Sequence, residues 1–173
     1  MNKYIPKIYK KSILDINYNA LKEKGIKCIL FDLDNTLLEV YKASPKKEFC
    51  YLIKKLKKLF RIIVISNNSS SKRVSKVAIE LGVDYIKFAM KPFSRGFRKV
   101  RKKYKYEKSE MCLIGDQLMT DIMGGNKYGI YTILVDPLAE KELKVTGINR
   151  FFERRALKKL AKNNLFKRGE YYG

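Results

Sequence analysis

Five short apolar runs alternate with segments of helical periodicity, and this alternation constrains the fold more than any other feature of the chain. The runs are continuously apolar, which is typical of strands covered on both faces in a parallel sheet. They are residues 27–33, 61–66, 83–89, 111–116 and 131–136. The segments that predict helices are 44–60, 69–82, 94–104, about 120–128 and a basic one at 148–163. The order predicts a doubly wound, Rossmann-like α/β fold, with a mainly parallel five-stranded sheet and helices on both faces.

The length of 173 residues suits one domain, 1–173, with enough chain to bury a core. Only the two ends, 1–12 and 164–173, are expected to be loosely held. No apolar run reaches the roughly 18–20 residues that a membrane-spanning helix needs, and the first residues lack the pattern of a secretory signal. The chain is therefore expected in the cytoplasm, where its three cysteines would stay reduced core residues.

Polar residues follow four of the predicted strands at the point where each strand ends. Asp32 and Asp34 end the first run, and residues i and i+2 of a strand share a side, so the two carboxylates would repel each other. The others are Ser66 and Asn67 after the second run, Lys91 after the third, and Asp116 and Asp121 after the fourth. Ligands bind beyond the carboxyl ends of strands in such sheets, so we expect these residues to form one site.

The clustered carboxylates require a cation, and the composition restricts which one. There is no histidine, so imidazole can serve neither as a ligand nor as a general base. Carboxylates, carbonyls and waters are the ligands that Mg²⁺ takes, and this ion would turn the repulsion among Asp32, Asp34 and Asp116 into attraction. Beside it, Lys91 and Ser66 suit a phosphate group, since an ammonium and a hydroxyl can hold its oxygens.

Each part of this set also has a structural interpretation when it is taken alone. Asp32 and Asp34 could be turn carboxylates, and residues 66–68 could be an ordinary loop or helix cap. Asp116 and Asp121 could favour the N-terminus of the helix that follows them. The occurrence of all the parts, in order, at four strand ends favours the catalytic interpretation.

Four motifs carry a resemblance to a known superfamily. FDLDNT, ISNN, KP and GDQLMTD occur in this order, and together they resemble the motifs of the haloacid dehalogenase superfamily of Mg²⁺-dependent phosphohydrolases. DLDNTL and GDQLMTD, with the downstream NKYG, are similar to the cap-less subfamily IIIA, which contains the YqeG-like proteins and phosphatidylglycerophosphate phosphatases. The motifs span 32–129, and the tail INRFFERRALKKL also resembles the YqeG-like pattern.

The resemblance implies a role for each matching residue. Asp32 would attack phosphorus and form an aspartyl-phosphate, while Asp34 would protonate the leaving oxygen and then activate water. Thr36 would help to fix Asp34. The implied phosphate-binding residues are Thr36, Ser66, Asn67 and Lys91. The implied Mg²⁺ ligands are Asp32, the backbone carbonyl of Asp34, Asp116 and, directly or through water, Asp121, which could instead orient Lys91.

The spacing between the motifs leaves no room for a cap domain. Only residues 37–43 separate the first motif from the next predicted helix, and the segment 84–91 is shorter than any cap. An open site cannot enclose a small metabolite. The expected substrate is therefore large or bound at an interface: a phospholipid headgroup, a phosphoprotein or a nucleic-acid end.

The charge of the chain favours an anionic partner. Thirty-nine Lys and Arg against 17 Asp and Glu give a net charge of +22. Residues 91–108 carry +8 and residues 150–168 carry +7, which suits an anionic membrane. The aromatic residues expected to add interfacial contacts are Phe151, Phe166, Tyr171 and Tyr172. The sequence thus predicts a phosphatase, peripheral on the inner face of the membrane, that acts on phosphatidylglycerophosphate.

A different interpretation assigns the basic surface to RNA or a ribosomal particle, with phosphatase activity weak or secondary. Arg101, Tyr104 and Tyr106 offer stacking groups, although no RNA-binding motif is visible. Any protein of charge +22 can bind nucleic acid non-specifically, so only a saturable, selective complex would support this interpretation. The sequence does not give the oligomeric state.

Overall fold

A six-stranded parallel sheet forms the centre of the protein. The computed structural model describes residues 2–68, 71–139 and 147–173, except for the side chains of 71 and 147–152. The strands are β1 Ile8–Lys10, β2 Cys28–Asp32, β3 Arg61–Ile65, β4 Asp84–Ile86, β5 Met111–Gly115 and β6 Tyr131–Val135. Their order is β1-β6-β5-β2-β3-β4, and every neighbouring pair is parallel. The predicted α/β fold is confirmed, although the sheet has six strands where five were predicted.

Helices connect successive strands and follow the last one. They are α1 Tyr18–Glu23, α2 Lys47–Leu56, α3 Ser71–Leu81, α4 Arg95–Tyr104, α5 Met123–Tyr128 and α6 Gly147–Lys162. A π-helical turn, Leu118–Ile122, leads directly into α5. None of the helices in the described part of the chain combines the length and apolarity needed to cross a bilayer.

The helices bury both faces of the sheet, as the continuously apolar strands predicted. Successive residues of β2 point to opposite faces. Ile29 and Phe31 pack in one core with the apolar sides of α2 and α3, whereas Leu30 packs on the other face with Phe97 and Val100 of α4. The three cysteines are free. Because β2 lies between β3 and β5, its last residue reaches the middle of the carboxyl edge.

The two chain ends pack against each other, so the expectation that 1–12 and 164–173 are loosely held is wrong. Tyr9 of β1 donates its N–H to the carbonyl of Tyr172 at 3.0 Å, and Tyr172 donates back to Tyr9 at 2.9 Å. The ring of Phe166 lies 5.3 Å from that of Tyr9. β1 was missed because three residues are too few to show a periodicity.

This packing changes the expected role of the aromatic tail. Phe166 is only 5% exposed, so its prediction as an interfacial contact is wrong. Tyr171 and Tyr172 keep 45% and 37% of their surface exposed, but Tyr171 also donates its hydroxyl to Asp136 at 2.5 Å. Phe151 lies outside the described side chains.

Candidate functional site

The central strand delivers the first aspartate to the carboxyl edge of the sheet. Asp32 is the last residue of β2 and is 8% exposed. The chain then turns tightly, because Leu38 donates its N–H to the carbonyl of Leu33 at 3.0 Å and Asn35 adopts a left-handed φ of 63°. The strand therefore ends between the two aspartates, and Asp34 lies in the turn beyond it.

A buried lysine lies beside Asp32. The Nζ atom of Lys91 is 2.5 Å from Asp32 Oδ1, 2.6 Å from Asp121 Oδ1 and 3.3 Å from the carbonyl oxygen of Ile65. Asn67 fixes the lysine backbone with both atoms of its amide: its Nδ2 donates to the Lys91 carbonyl at 2.8 Å, and its Oδ1 accepts the Lys91 N–H at 2.7 Å. The lysine is thus fixed at its backbone by Asn67, which follows β3, and at its ammonium by Asp32, which ends β2.

Three buried carboxylates meet at this position. Asp32, Asp116 and Asp121 offer oxygen atoms that all lie within 4.8 Å of one another. Asp121 accepts the N–H of Gln117 at 3.1 Å through its second oxygen. A side chain at Gly115 would bring a Cβ atom to 2.4 Å from the Asp121 carboxyl carbon. Glycine is therefore required for the π-helical turn to bring Asp121 this close to the end of β5.

Thr36 and Asp34 have partners other than the expected ones. Thr36 donates its hydroxyl to Asp116 at 3.1 Å, so it fixes that carboxylate and not Asp34. Asp34 is paired instead with Arg73, whose Nε lies 3.1 Å from its Oδ1. Ser66, buried at the end of β3, accepts the backbone N–H of Asn68 on its hydroxyl oxygen at 3.0 Å.

Arg73 is a site residue that the sequence did not single out. Besides its pair with Asp34, its guanidinium donates to the carbonyls of Glu39 at 2.9 Å and Lys42 at 2.7 Å. It therefore connects α3 to the loop that follows the first motif. Its only sequence signal is its position on the helix after ISNN, which any surface arginine could share.

Burial and charge shift the proton affinities of this cluster. Burial raises the pKa of Asp32 to about 7, because the loss of hydration outweighs the attraction of the Lys91 ammonium. Burial, together with Asp32 and Asp121, raises the pKa of Asp116 well above its ordinary value. Burial lowers the pKa of Lys91, but the charges of Asp121 and Asp32 outweigh this effect and leave it raised. Lys91 is therefore an ammonium throughout the neutral range.

The residues present fit a hard metal ion. Three buried carboxylates face the single ammonium of Lys91 in this cluster, so the described side chains leave an excess of negative charge that is costly to bury. Carboxylate oxygens are the donors that hard divalent cations prefer. A cation among the three carboxylates would compensate this charge. The site can therefore hold a metal ion.

The C-terminal tail contacts the segment between Asp116 and Asp121. Arg168 donates from Nη2 to the backbone carbonyl of Asp116 and to Glu153 Oε1, both at 3.0 Å. Glu153 Oε1 also accepts the N–H of Leu118 at 3.2 Å. The tail and α6 thus hold the segment between Asp116 and Asp121.

We expect Arg168→Ala to lower the free energy of unfolding by about 1–2 kcal/mol, because hydrogen bonds to charged groups contribute most when they are partly buried. The Arg168 side chain is 30% exposed and that of Glu153 15%. Urea denaturation measures the change. The matched control is Lys167→Ala, whose pair with Glu170 is 66% exposed on both sides; its loss should be below about 0.5 kcal/mol. Equal losses in the two variants would mean that Arg168 does not hold the segment between Asp116 and Asp121.

Comparison with known proteins identifies the family. The family described as mitochondrial PGP phosphatase matches residues 1–139. The probable phosphatase YqeG of Bacillus subtilis is 34% identical over 157 residues, which is 91% of each chain. Phosphatidylglycerophosphate phosphatase 1 of Arabidopsis thaliana is 29% identical over 147 residues, or 80% of this chain and 42% of the plant protein. The chain thus spans less than half of that plant relative.

Solved structures share the fold. An uncharacterized protein from Listeria monocytogenes superposes with a TM-score of 0.56 at 19% identity, covering 68% of this chain and 85% of its own. The cobalt-bound deoxy-D-mannose-octulosonate 8-phosphate phosphatase of Haemophilus influenzae gives 0.51 at 17% identity, covering 84% and 95%. With the family match, these findings confirm the resemblance carried by the four motifs. The chain is a phosphatase that belongs to the YqeG-like phosphatidylglycerophosphate phosphatase family of the haloacid dehalogenase superfamily.

Proposed function

We propose that this phosphatase is Mg²⁺-dependent, forms an aspartyl-phosphate on Asp32, and hydrolyses phosphatidylglycerophosphate. The observation that carries the mechanism is the position of Lys91. Its ammonium lies within 2.6 Å of both Asp32 and Asp121 in a cluster of three buried carboxylates. A fixed positive charge beside the carboxylate of Asp32 suits transfer of a phosphoryl group, which requires mainly positioning and charge neutralisation.

The chemistry takes two steps. In the first, a carboxylate oxygen of Asp32 forms a bond to phosphorus, the bond to the leaving oxygen breaks, and Asp34 gives that oxygen its proton. In the second, Asp34 takes a proton from water as the water oxygen attacks phosphorus, and the bond to Asp32 breaks to release phosphate. Asp34 is positioned by Arg73 at 3.1 Å, and its side chain is 20% exposed, so water can reach it.

Other residues would hold the phosphoryl group and the ion. Lys91 and the hydroxyl of Ser66 would bind the phosphoryl oxygens, with Asn67 fixing the lysine and Thr36 fixing Asp116. The proposed Mg²⁺ ligands are Asp32, the backbone carbonyl of Asp34, Asp116 and Asp121. A bound Mg²⁺ would supply neutralisation of the charge that develops on the phosphoryl oxygens.

The lipid substrate is supported by relatives and by the openness of the site. The matching family and the Arabidopsis relative carry the name of phosphatidylglycerophosphate phosphatases. Only residues 33–46 lie between β2 and α2, too few for a domain that covers the site. A headgroup presented by a membrane suits such a site. We accordingly propose that the enzyme works in the cytoplasm, at the inner face of the membrane.

The RNA-binding interpretation gains no support. The stacking groups that it relied on are engaged within the protein: the Arg61 guanidinium lies 5.2 Å from the centre of the Tyr104 ring, and Arg101 pairs with Glu107 at 3.1 Å. These intramolecular contacts account for both groups without a nucleic-acid partner. We therefore propose no nucleic-acid substrate.

The test is phosphate release from phosphatidylglycerophosphate in mixed micelles, with p-nitrophenyl phosphate in parallel, with and without Mg²⁺. We expect turnover of the lipid that requires Mg²⁺ and far exceeds turnover of the generic ester. Turnover of p-nitrophenyl phosphate alone would reject the lipid as the substrate and keep the assignment of the catalytic residues. Turnover of the lipid that persists in excess chelator would reject the role of the ion.

A further inference from the structure

The loop that carries Lys91 exposes an unusual set of apolar side chains. This segment, residues 87–94, joins β4 to α4 and is called the Lys91 loop below. Three of its side chains lie in solvent: Phe88 is 54% exposed, Met90 38% and Phe93 69%. Single exposed apolar residues are common on protein surfaces, but three within six residues form a patch, and such patches mark interaction sites.

The exposure follows from how the loop is anchored. Ala89 is fully buried and donates its N–H to the carbonyl of Ser66 at 2.9 Å, and Lys91 is held by Asn67. Since the residues at 89 and 91 point inward, their neighbours Phe88 and Met90 point outward. The hydrogen bonds that place the lysine therefore also present the apolar side chains.

The backbone of the two outward residues is also unusual. Phe88 has φ 51° and Met90 has φ 57°, in the left-handed region that bulky side chains rarely adopt. Strained backbone of this kind persists only where the surrounding structure enforces it, and it clusters at ligand clamps and active sites. The fold therefore maintains an exposed apolar loop at a conformational cost.

The segment that contains the patch is strongly basic. Residues 85–106 contain nine basic residues and no acidic one. The nearest are Lys87 in the loop and Arg95, Arg98 and Lys99 on the first turns of α4, all exposed. Arg95 also contacts the sulfur of Met90 at 3.5 Å. An exposed apolar patch whose exposed charged neighbours along the chain are all basic matches a surface with anionic headgroups above an apolar interior.

A lipid bilayer suits this loop better than an acidic protein does. Protruding aromatic side chains enter the interface of a membrane without any matching pocket. A protein partner would need a cavity shaped to all three side chains. The loop also contains the lysine that contacts Asp32, so a membrane seated on it would bring phosphate headgroups to the site.

We propose that Phe88, Met90 and Phe93 insert into the boundary between headgroups and acyl chains of an anionic membrane, and that the basic residues beside them bind the headgroups. The link to catalysis rests on the lipid substrate proposed above. The insertion itself does not depend on turnover, so it can be tested with vesicles that contain no phosphomonoester.

The test uses fluorescence, because the chain contains no tryptophan. Phe93→Trp gives a single reporter in the Lys91 loop, and Tyr51→Trp gives a matched control on α2, where Tyr51 is 62% exposed. Vesicles of phosphatidylglycerol and phosphatidylcholine should shift the Phe93→Trp emission to the blue and leave Tyr51→Trp unchanged. Absence of the shift, or an equal shift in both variants, would overturn the proposal. So would a shift caused by polyglutamate but not by vesicles, which would identify an acidic protein as the partner.

A second measurement tests the energetic contribution of the patch. In co-sedimentation with the same vesicles, the double variant Phe88→Ser/Phe93→Ser should bind at least about tenfold more weakly than the native chain, because two aromatic side chains no longer leave water. The control double variant Tyr51→Ser/Ile79→Ser removes two other exposed apolar residues and should bind as the native chain does. An equal loss in both double variants would contradict insertion by this loop. Vesicle binding without lipid turnover would reject the proposed substrate and keep the insertion surface.

Discussion

Asp32→Asn should abolish Mg²⁺-dependent phosphate release, with a loss of at least about a thousandfold in kcat, as expected when a nucleophile is removed. An amide does not form the acyl-phosphate bond, and it offers the ion one neutral oxygen in place of a carboxylate. The variant should stay folded, because Lys91 keeps its contact with Asp121 at 2.6 Å. Phosphate release from p-nitrophenyl phosphate measures the loss in kcat, and the circular dichroism spectrum measures whether the variant stays folded.

The same substitution at a remote aspartate provides the control. Asp84, the first residue of β4, pairs with Arg61 at an exposed position at the opposite edge of the sheet, and Asp84→Asn should keep native activity.

Rapid quenching of the native enzyme and reduction with borohydride should convert Asp32 to homoserine, which mass spectrometry detects. Retained activity in Asp32→Asn, or the reduced label on another residue, would sink the assignment of the nucleophile.

The sequence predicted the layout of the site because the carboxyl ends of parallel strands must share one edge. Asp32 and Lys91 follow different strands and are 59 positions apart, yet they meet at 2.5 Å. Their convergence requires only the order of strands and loops, and apolar periodicity shows this order. Asp116 and Asp121 were located by the same reasoning.

Side-chain partners were less predictable, because they depend on contacts that leave no periodic signal. Asp34 was expected to be fixed by Thr36, two positions away, but its partner is Arg73 on α3, 39 positions away. Arg168 contacts Asp116 across 52 positions, from a tail that polar composition alone marks as loose. A lone arginine has the same appearance in a sequence whether it lies in solvent or supports a site.

Lys91→Met should lower the free energy of unfolding of the metal-free protein by about 3–5 kcal/mol at pH 8, since removing one member of a buried ion pair leaves its partners uncompensated. Lys91 is 5% exposed, and Asp32 and Asp121 both contact its ammonium. Methionine has a similar length, so most of the loss would be electrostatic. Activity should be lost as well, because the phosphoryl group would lose its cation. Urea denaturation with and without Mg²⁺ measures the stability.

The pH dependence separates this electrostatic cause from a packing defect. The pKa of Asp32 is already raised to about 7 in the native chain, and removal of the ammonium raises it further. A carboxyl group whose folded pKa exceeds its unfolded value of about 3.9 costs the protein up to about 1.4 kcal/mol of stability per pH unit between these two pKa values, and the loss stops above the folded pKa. In the native chain the loss therefore ends near pH 7, whereas in the variant it continues to higher pH. The stability deficit of the variant should accordingly widen from about pH 7 to pH 9. Mg²⁺ should narrow the deficit, because a divalent ion replaces the missing positive charge.

The control is Lys58→Met, at an exposed position of the turn after α2, which should change stability by less than about 0.5 kcal/mol at every pH. A deficit in Lys91→Met that is constant with pH and unaffected by Mg²⁺ would mean that Lys91 fills space and does not neutralise the carboxylates.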